Sequence, residues 1–203
     1  MSIYFSRHGE TDWNIAKRVQ GTTDIPLNET GMEQAKLLYE NLRKDNVKIC
    51  RVYSSYQERA LTTAQIVGSG FNAPVKVIHG LEEMNLGIFE GHTWEEISEV
   101  YPDEHARWET NKRYNRAPEG ESYQELLERL FAALDQIIEE AKDDLDLGRD
   151  ILIVTHGAVI MSLLTLKKDL SFNDSYKYIS IENAKALRFE MSDLREIERR
   201  VDR

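Results

Sequence analysis

Two histidines occupy equivalent places in the sequence, each between a short apolar run and a glycine. His8 follows the run 3–5 and precedes Gly9, and His156 follows the run 151–154 and precedes Gly157. Short continuous apolar runs are typical of buried strands. Because ligands of open α/β sheets bind at the carboxyl ends of the strands, we expect both histidines at the ligand-binding edge of one sheet.

Arginines accompany this pair of histidines. Arg7 directly precedes His8, and Arg59 lies in the first turn of a helix predicted after the strand 49–53. A guanidinium presents a planar fork of donors suited to phosphate or carboxylate, and a helix N-terminus also favours anions. A neutral histidine near such cations keeps the lone pair that a nucleophile needs. A surface ion pair would explain either arginine alone, whereas the repeated pattern favours an anion site.

The adjacent carboxylates Glu82 and Glu83 precede a loop that contains two glycines. One of them could donate a proton during catalysis, although adjacent glutamates more often simply face solvent. His79 lies nearby, but the three residues do not have the spacing of a known metal-ligand motif. We therefore expect no metal site here.

The rest of the chain alternates strands with helices. Four helices are predicted where Ser or Thr precedes Glu by three residues, as in a capping box; these caps are Thr30, Ser55, Thr93 and Ser122. Further strands are predicted at 75–78 and, as a pair broken near Asn183, within 176–191. Residues after Ser192 fit either a strand or a helix. Since residues 104–121 lack a strong apolar period, we expect one domain over 1–203 with a lid or insertion around 92–121.

Composition excludes several classes of function. The 203-residue chain has a net charge of -10, which argues against a general nucleic-acid binder. Cys50 is the only cysteine, so no intramolecular disulfide can form, and we expect a buried strand residue in a reducing compartment. No apolar segment reaches the length of a membrane span, and the apolar run at 3–5 leaves no room for a signal peptide. These features predict a cytoplasmic protein without a membrane partner.

Taken together and in order, the motifs resemble those of the histidine phosphatase superfamily, the phosphoglycerate mutase-like group. The resemblance spans nearly the whole chain. It is carried by Arg7-His8-Gly9-Glu10-Thr11 with Trp13-Asn14, Gln20-Gly21, Asp24, Pro26-Leu27, Gly31, Ser54-Ser55, Arg59-Ala60, Thr63-Ala64, Glu83 before Gly87, Glu90-Gly91, Pro118-Glu119-Gly120-Glu121-Ser122 and His156-Gly157.

This resemblance implies a three-layer α/β/α fold with a mostly parallel central sheet. It also implies that His8 becomes a phosphohistidine and that Glu83 is the proton donor, whereas Glu82 is out of register with the motif. Arg7, Arg59 and His156, the last as a protonated or neutral donor, would hold the phosphoryl oxygens. The remaining phosphate-binding positions would be Asn14, Gln20, Gly21 and Gly157.

Since these donors can stabilise the transferred phosphoryl group, we expect a phosphatase that needs no metal or other cofactor and acts on a small phosphorylated metabolite. The alternatives are a cofactor-dependent phosphoglycerate mutase and a non-catalytic protein that binds a phosphorylated ligand. A phosphatase is favoured because the mutases resembled here are longer before the motif at 118–122 and commonly have Ser at the position of Thr11.

The sequence does not decide the substrate among sugar phosphates, phosphoglycerates, nucleotides and the ribazole phosphate of cobalamin synthesis. It also leaves open whether the protein is a homodimer. Large aromatic side chains are expected either to contact the leaving group or to pack against the body of the protein; these are Trp13, Trp94, Trp108 and Tyr114.

Overall fold

The computed structural model describes residues 2–201. Its centre is a five-stranded sheet with the order β3-β2-β4-β1-β5. The first four strands of the chain run parallel, and β5 pairs antiparallel with β1. The strands are β1 (Ile3–Arg7), β2 (Ile49–Ser54), β3 (Val75–Val77), β4 (Asp150–Thr155) and β5 (Ala186–Phe189). The expected mostly parallel sheet is thus confirmed.

Helices connect the strands and cover the sheet. They are α1 (Asp12–Ile15), α2 (Glu29–Lys44), α3 (Glu58–Phe71), α4 (Trp94–Val100), α5 (Pro102–Thr110), α6 (Tyr123–Glu140), α7 (Lys142–Asp146), α8 (Gly157–Lys167) and α9 (Met191–Glu198). Short 3-10 helices occupy Gly87–Phe89 and Ser175–Lys177. Within residues 2–201, every helix is too short or too polar to cross a bilayer.

Alternation of side chains along β4 explains why helices cover both faces of the sheet. Leu152 and Val154 pack in a core with α2 and α3, whereas Ile151 and Ile153 pack in a second core with α6, α8 and α9. Because successive strand residues point to opposite faces, one continuous apolar run serves both cores. The result is the three-layer α/β/α architecture that was expected.

Two of the four predicted caps are wrong. Asn28 caps α2 by accepting a hydrogen bond from the Gly31 N–H at 2.8 Å, so Thr30 lies inside the helix. Helix α3 has Gln57 as its N-cap residue, and the Ser55 hydroxyl accepts instead from the Gln57 N–H at 3.2 Å. In each case a short-range polar contact competes with the capping-box pattern. The capping boxes at Thr93 and Ser122 are confirmed.

The C-terminal region also differs from the prediction. Only one strand, β5, forms where two were expected, and residues from Met191 form helix α9. The segment before β5 contacts the end of β1 instead: the Ala184 N–H donates to the Arg7 carbonyl at 3.0 Å, and the Asn183 side chain donates to the His8 carbonyl at 2.9 Å. These contacts use the hydrogen-bonding groups that a second strand would have needed.

The segment 92–121 forms helices α4 and α5 and a following irregular stretch. Trp108 from α5 is buried and contacts Phe89 edge-on, with ring centroids 6.0 Å apart. Tertiary packing of this kind stabilises a segment whose apolar period is weak. That the segment acts as a lid stays a prediction. Cys50, expected to be buried in β2, is only partly buried.

Candidate active site

The parallel pairing of β1 with β4 brings the two histidines together. Arg7 lies opposite Thr155 in the register, and the His8 N–H donates to the Thr155 carbonyl at 3.0 Å. The imidazole centroids of His8 and His156 are 5.3 Å apart. Both residues are almost completely inaccessible to solvent, at 1% and 0% exposure. The two apolar runs therefore deliver both rings to one buried point.

His8 has a defined tautomer. Its Nδ1 lies 2.7 Å from the Gly9 carbonyl oxygen. Because a carbonyl can only accept, Nδ1 carries the proton and Nε2 keeps its lone pair. Burial lowers the pKa of His8 well below its usual value, and the charges of Arg7 and Arg59 lower it further. His8 is therefore neutral, with an unprotonated Nε2.

Arg7 and Arg59 are held by backbone carbonyls. Arg7 donates to the Ile181 carbonyl at 3.1 Å, and Arg59 donates to the Gly21 and Thr23 carbonyls at 2.8 and 2.9 Å. Burial lowers the pKa of each guanidinium, and Glu83 opposes that shift. Within residues 2–201 the buried Nε of each arginine has no hydrogen-bond partner. Each side chain thus has a donor left for an anion.

His156 differs from His8 in its hydrogen bonds. Both of its ring nitrogens are buried and lack a partner among residues 2–201. Burial lowers its pKa well below the usual value, and Arg59 is the next contribution. A neutral ring still offers one N–H donor. Of the two forms expected from the sequence, the structure favours the neutral donor.

Glu83 reaches the same point from the loop after β3. Its carboxylate accepts hydrogen bonds from the backbone N–H of Met84 at 2.9 Å and of Ala158, in the first turn of α8, at 3.1 Å. A Cβ atom built on Gly157 would lie 3.6 Å from both Arg7 Nε and Glu83 Oε2. Because glycine has no side chain, position 157 leaves a notch between the Arg7 guanidinium and the Glu83 carboxylate.

Glu82 points elsewhere. Its carboxylate accepts from the Gly80 N–H at 2.6 Å and lies 3.3 Å from the His79 ring. Nowhere in the described part of the chain do three or more His, Cys, Asp or Glu side chains come together in a group that could hold a metal ion. The structure thus separates the two adjacent glutamates, and only Glu83 joins the histidines.

The other predicted phosphate-binding residues surround this centre. Asn14 is tied to it through Asn183, whose side-chain amide donates to the Asn14 amide oxygen at 3.3 Å. Gln20 is buried, and its amide oxygen has no partner within residues 2–201. Gly21 has a φ of +50°, and any Cβ there would collide with Glu90. Only glycine meets both constraints without strain.

Sequence reasoning missed Gln57, which is completely buried. Its amide nitrogen donates to the Gly21 carbonyl at 2.9 Å, and its amide oxygen accepts from the Glu83 N–H at 2.8 Å. Since Arg59 donates to the same carbonyl, Gln57 links the arginine to the glutamate. Its partners are distant in sequence, so no local pattern identifies it.

Glu90 was quoted in a motif but assigned no role. Its carboxylate accepts from the backbone N–H groups of Thr22 and Thr23 at 2.8 and 3.0 Å. These contacts hold the loop whose carbonyls bind Arg59. The sequence feature that could have indicated this role is the motif Glu90-Gly91, in which an acidic residue directly precedes a glycine.

Comparisons with known proteins show which family the chain resembles over its length. A family model described as the histidine phosphatase superfamily (branch 1) matches residues 3–201. Phosphoglycerate mutase-like protein 4 of Arabidopsis thaliana is 38% identical over 163 residues, which are 79% of this chain and 68% of that protein. A 6-phosphofructo-2-kinase/fructose-2,6-bisphosphatase of Gallus gallus is 34% identical over 84% of this chain, which spans only 33% of that longer protein.

Solved structures give the same result. YhfR of Bacillus stearothermophilus superposes with a TM-score of 0.80 and 31% identity, over 93% of this chain and 90% of that one. A mycobacterial glucosyl-3-phosphoglycerate phosphatase, solved in complex with VO3, gives a TM-score of 0.78 and 27% identity, over 93% and 92% of the two chains.

Proposed function

The chain belongs to the histidine phosphatase superfamily, and from this premise we propose that it is a metal-independent phosphomonoesterase that hydrolyses a small phosphorylated metabolite through a phosphohistidine on His8. The observation that carries the proposal is the hydrogen bond between His8 Nδ1 and the Gly9 carbonyl. It leaves Nε2 as a lone-pair nucleophile among cationic and neutral donors.

In the first half-reaction, His8 Nε2 attacks phosphorus and the bond from phosphorus to the ester oxygen breaks. The unpaired donors of Arg7, Arg59 and His156 stabilise charge on the equatorial oxygens. Glu83, across the notch at Gly157 from Arg7, acts in its protonated form and gives its proton to the departing alkoxide. The products are phospho-His8 and an alcohol.

In the second half-reaction, water attacks the phosphorus of phospho-His8. Glu83, now a carboxylate, takes a proton from that water, and the N–P bond breaks. Inorganic phosphate leaves, and both residues return to their starting states. The same carboxylate serves as acid and then as base because it lies beside the reacting phosphoryl group in both steps.

The same phosphohistidine would also serve a phosphoglycerate mutase, which is the second candidate. The name of the Arabidopsis relative supports it. In a mutase, phospho-His8 passes its phosphoryl group back to a bound phosphoglycerate rather than to water. The residues around His8 serve both reactions, so the distinction depends on which acceptor reaches the intermediate.

The test measures phosphate release from a panel of phosphomonoesters, with chelator present, for the wild type, His8→Ala and His79→Ala. His79 is the matched control because its side chain is 87% exposed. We expect release by the wild type and the control and none by His8→Ala. Samples of the wild type quenched in alkaline detergent, in which the N–P bond survives, should contain phosphohistidine, which His8→Ala should lack.

Other outcomes of this test would contradict specific parts of the proposal. Isomerisation of 3-phosphoglycerate in the presence of its bisphosphate primer, without phosphate release, would replace the phosphatase by the mutase. Release abolished by chelator would contradict metal independence. Binding of phosphate without turnover or phosphohistidine would indicate a non-catalytic binding protein.

A further inference from the structure

A cavity of about 720 Å³ lies between the segment 92–121 and the body of the protein. Helices α4 and α5 form one side, and α6, α8 and the 3-10 helix Ser175–Lys177 form the other. Its walls are mainly aromatic and apolar. The residues that matter here are Trp94, Trp108, Lys112, Tyr123, Met161 and Tyr176.

Two residues that line this cavity relate it to Glu83, the proposed proton donor. Met161 lies three residues after Ala158, so both are on the same face of α8, and the Ala158 N–H is bonded to Glu83. Tyr123 is on the same side of the cavity, in the first turn of α6; burial raises the pKa of its phenol, and the charge of Glu83 raises it further. A leaving group that receives a proton from Glu83 would therefore extend towards Met161 and Tyr123.

Stacking fixes the relative orientation of the two tryptophans in the cavity wall. Trp94 and Trp108 lie parallel, with ring centroids 5.5 Å apart and planes 6° apart. Lys112 is only 7% exposed, and its ammonium lies 4.7 Å from the Trp108 ring and 5.0 Å from the Tyr176 ring. The same ammonium is 2.5 Å from a Glu109 carboxylate oxygen. Its charge is thus already compensated by a carboxylate and two rings.

Besides Lys112, the cavity is lined by His105 and three glutamates, and the His105 ring lies 3.7 Å from the Glu109 carboxylate. Glu95 and Glu99 line it and are exposed, while Glu109 is paired with Lys112. A leaving group with its own carboxylate or phosphate would meet these carboxylates with no uncompensated cation. An uncharged ring would instead remove apolar area of both partners from water.

We infer that this cavity binds the leaving group and selects phosphomonoesters of uncharged, ring-containing alcohols over those with a second acidic group. The inference rests on the proposed function, because it assigns the alcohol half of the substrate hydrolysed at His8. The positions of Met161 and Tyr123 support the inference because they relate the cavity to Glu83. The aromatic walls and the exposed carboxylates of Glu95 and Glu99 support the preference for an uncharged ring. It makes phosphoglycerates poor substrates.

The experiment compares 2-phenylethyl phosphate with ethyl phosphate, since both release an alkyl alcohol and differ mainly in the ring. The wild type should prefer the phenylethyl ester in kcat/KM, and 3-phosphoglycerate should be the poorest of the three. Trp94→Ala and Met161→Glu should reduce the preference by about tenfold, the scale of one aromatic contact. Trp94 is 43% exposed, so its replacement leaves the fold intact.

Tyr114→Ala is the matched control. Tyr114 is exposed and lines a separate cavity of about 520 Å³ with Arg107 and Arg116. This control should keep the wild-type preference. Equal kcat/KM for the two esters in the wild type, or a preference that both cavity variants retain, would overturn the inference while leaving the phosphatase activity established.

A binding measurement distinguishes failure of the inference about the cavity from failure of the proposed phosphatase activity. Phosphonates have a carbon–phosphorus bond that the enzyme cannot hydrolyse, so 2-phenylethylphosphonate and ethylphosphonate report binding alone. Calorimetry should show weaker binding of the phenylethyl compound to Met161→Glu than to the wild type. Ring-selective binding without turnover of any ester would contradict the phosphatase and retain the cavity as the ring-binding site.

Discussion

His8 and His156 end neighbouring parallel strands through nearly the same sequence, yet their rings have different environments. The His8 ring is oriented by the Gly9 carbonyl, whereas neither nitrogen of His156 has a partner within residues 2–201. These environments suit the proposed roles, in which the His8 ring attacks phosphorus and the His156 ring donates a hydrogen bond. The end of the strand thus determines where each imidazole lies. The hydrogen bonds of the ring determine whether it suits a nucleophile or a hydrogen-bond donor.

The glycines that follow the histidines differ in a similar way. A Cβ on Gly9 would collide with the backbone of Gly31, at the start of α2, whereas a Cβ on Gly157 would make only ordinary contacts. The φ of Gly9 is not positive, so backbone conformation does not explain the glycine. It is required because two backbone segments approach closely. Gly157 keeps space open beside Arg7 and Glu83.

The largest predicted effect separates the two histidines. His8→Ala should lower kcat/KM by about 10⁵-fold, as loss of a nucleophile does, and His156→Ala by about 10²–10³-fold, as loss of one charge-stabilising donor does. Single-turnover assays with alkaline quenching should still detect phosphohistidine in His156→Ala. Equal losses, or phosphohistidine in His8→Ala, would contradict the division of roles.

The glycine comparison predicts a separation of stability from activity. Gly9→Ala should lower the free energy of unfolding by about 3 kcal/mol, because an overpacked site must shift backbone. Gly157→Ala should change stability little, since alanine suits the first turn of α8, but should lower kcat/KM about tenfold by filling the notch. Urea denaturation and steady-state kinetics test both. A Gly157→Ala protein as unstable as Gly9→Ala would contradict the prediction.

Gln57 tests whether Glu83 must be positioned as well as present. Gln57→Leu removes the acceptor of the Glu83 N–H, and we expect kcat/KM for ethyl phosphate to fall about tenfold, the cost of one buried hydrogen bond. The loss should be smaller for 4-nitrophenyl phosphate, whose leaving group needs no proton. An equal loss for both substrates would indicate a purely structural role, and Tyr56→Leu, at an exposed neighbouring site, is the control.

The smallest predicted effect concerns stability and pH. Burial lowers the pKa of both histidines in the folded state, so below pH of about 6.5 the unfolded chain binds protons that the folded chain does not. Stability should therefore fall with pH below that value, by up to about 1.4 kcal/mol per pH unit for each histidine, and level off below the folded-state pKa. His156→Gln should reduce this slope between pH 6.5 and 5.5.

Urea denaturation at several pH values gives the slope directly. His79→Gln, which changes an exposed histidine, should keep the wild-type slope. A slope that is the same in His156→Gln and the wild type would show that His156 protonates equally in the folded and unfolded chains.

The mostly parallel sheet and the meeting of the two histidines followed from short-range patterns that proved reliable. Each apolar run is followed by polar residues that mark the end of a strand, and parallel strands present their carboxyl ends at one edge of the sheet. The predicted caps at Thr30 and Ser55 failed because Asn28 and Gln57 offered competing contacts. The second C-terminal strand failed because its residues bind the end of β1.

The sequence by itself determined the family, the layered fold and the residues proposed to carry the chemistry, because apolar periods and ordered motifs are local properties. Only the tertiary structure decided which nitrogen of His8 keeps its lone pair, that Gln57 links Arg59 to Glu83, and that an aromatic cavity forms between α5 and α8. These features depend on distances between groups far apart in the chain. Packing sets such distances, and no local spacing in the sequence records them.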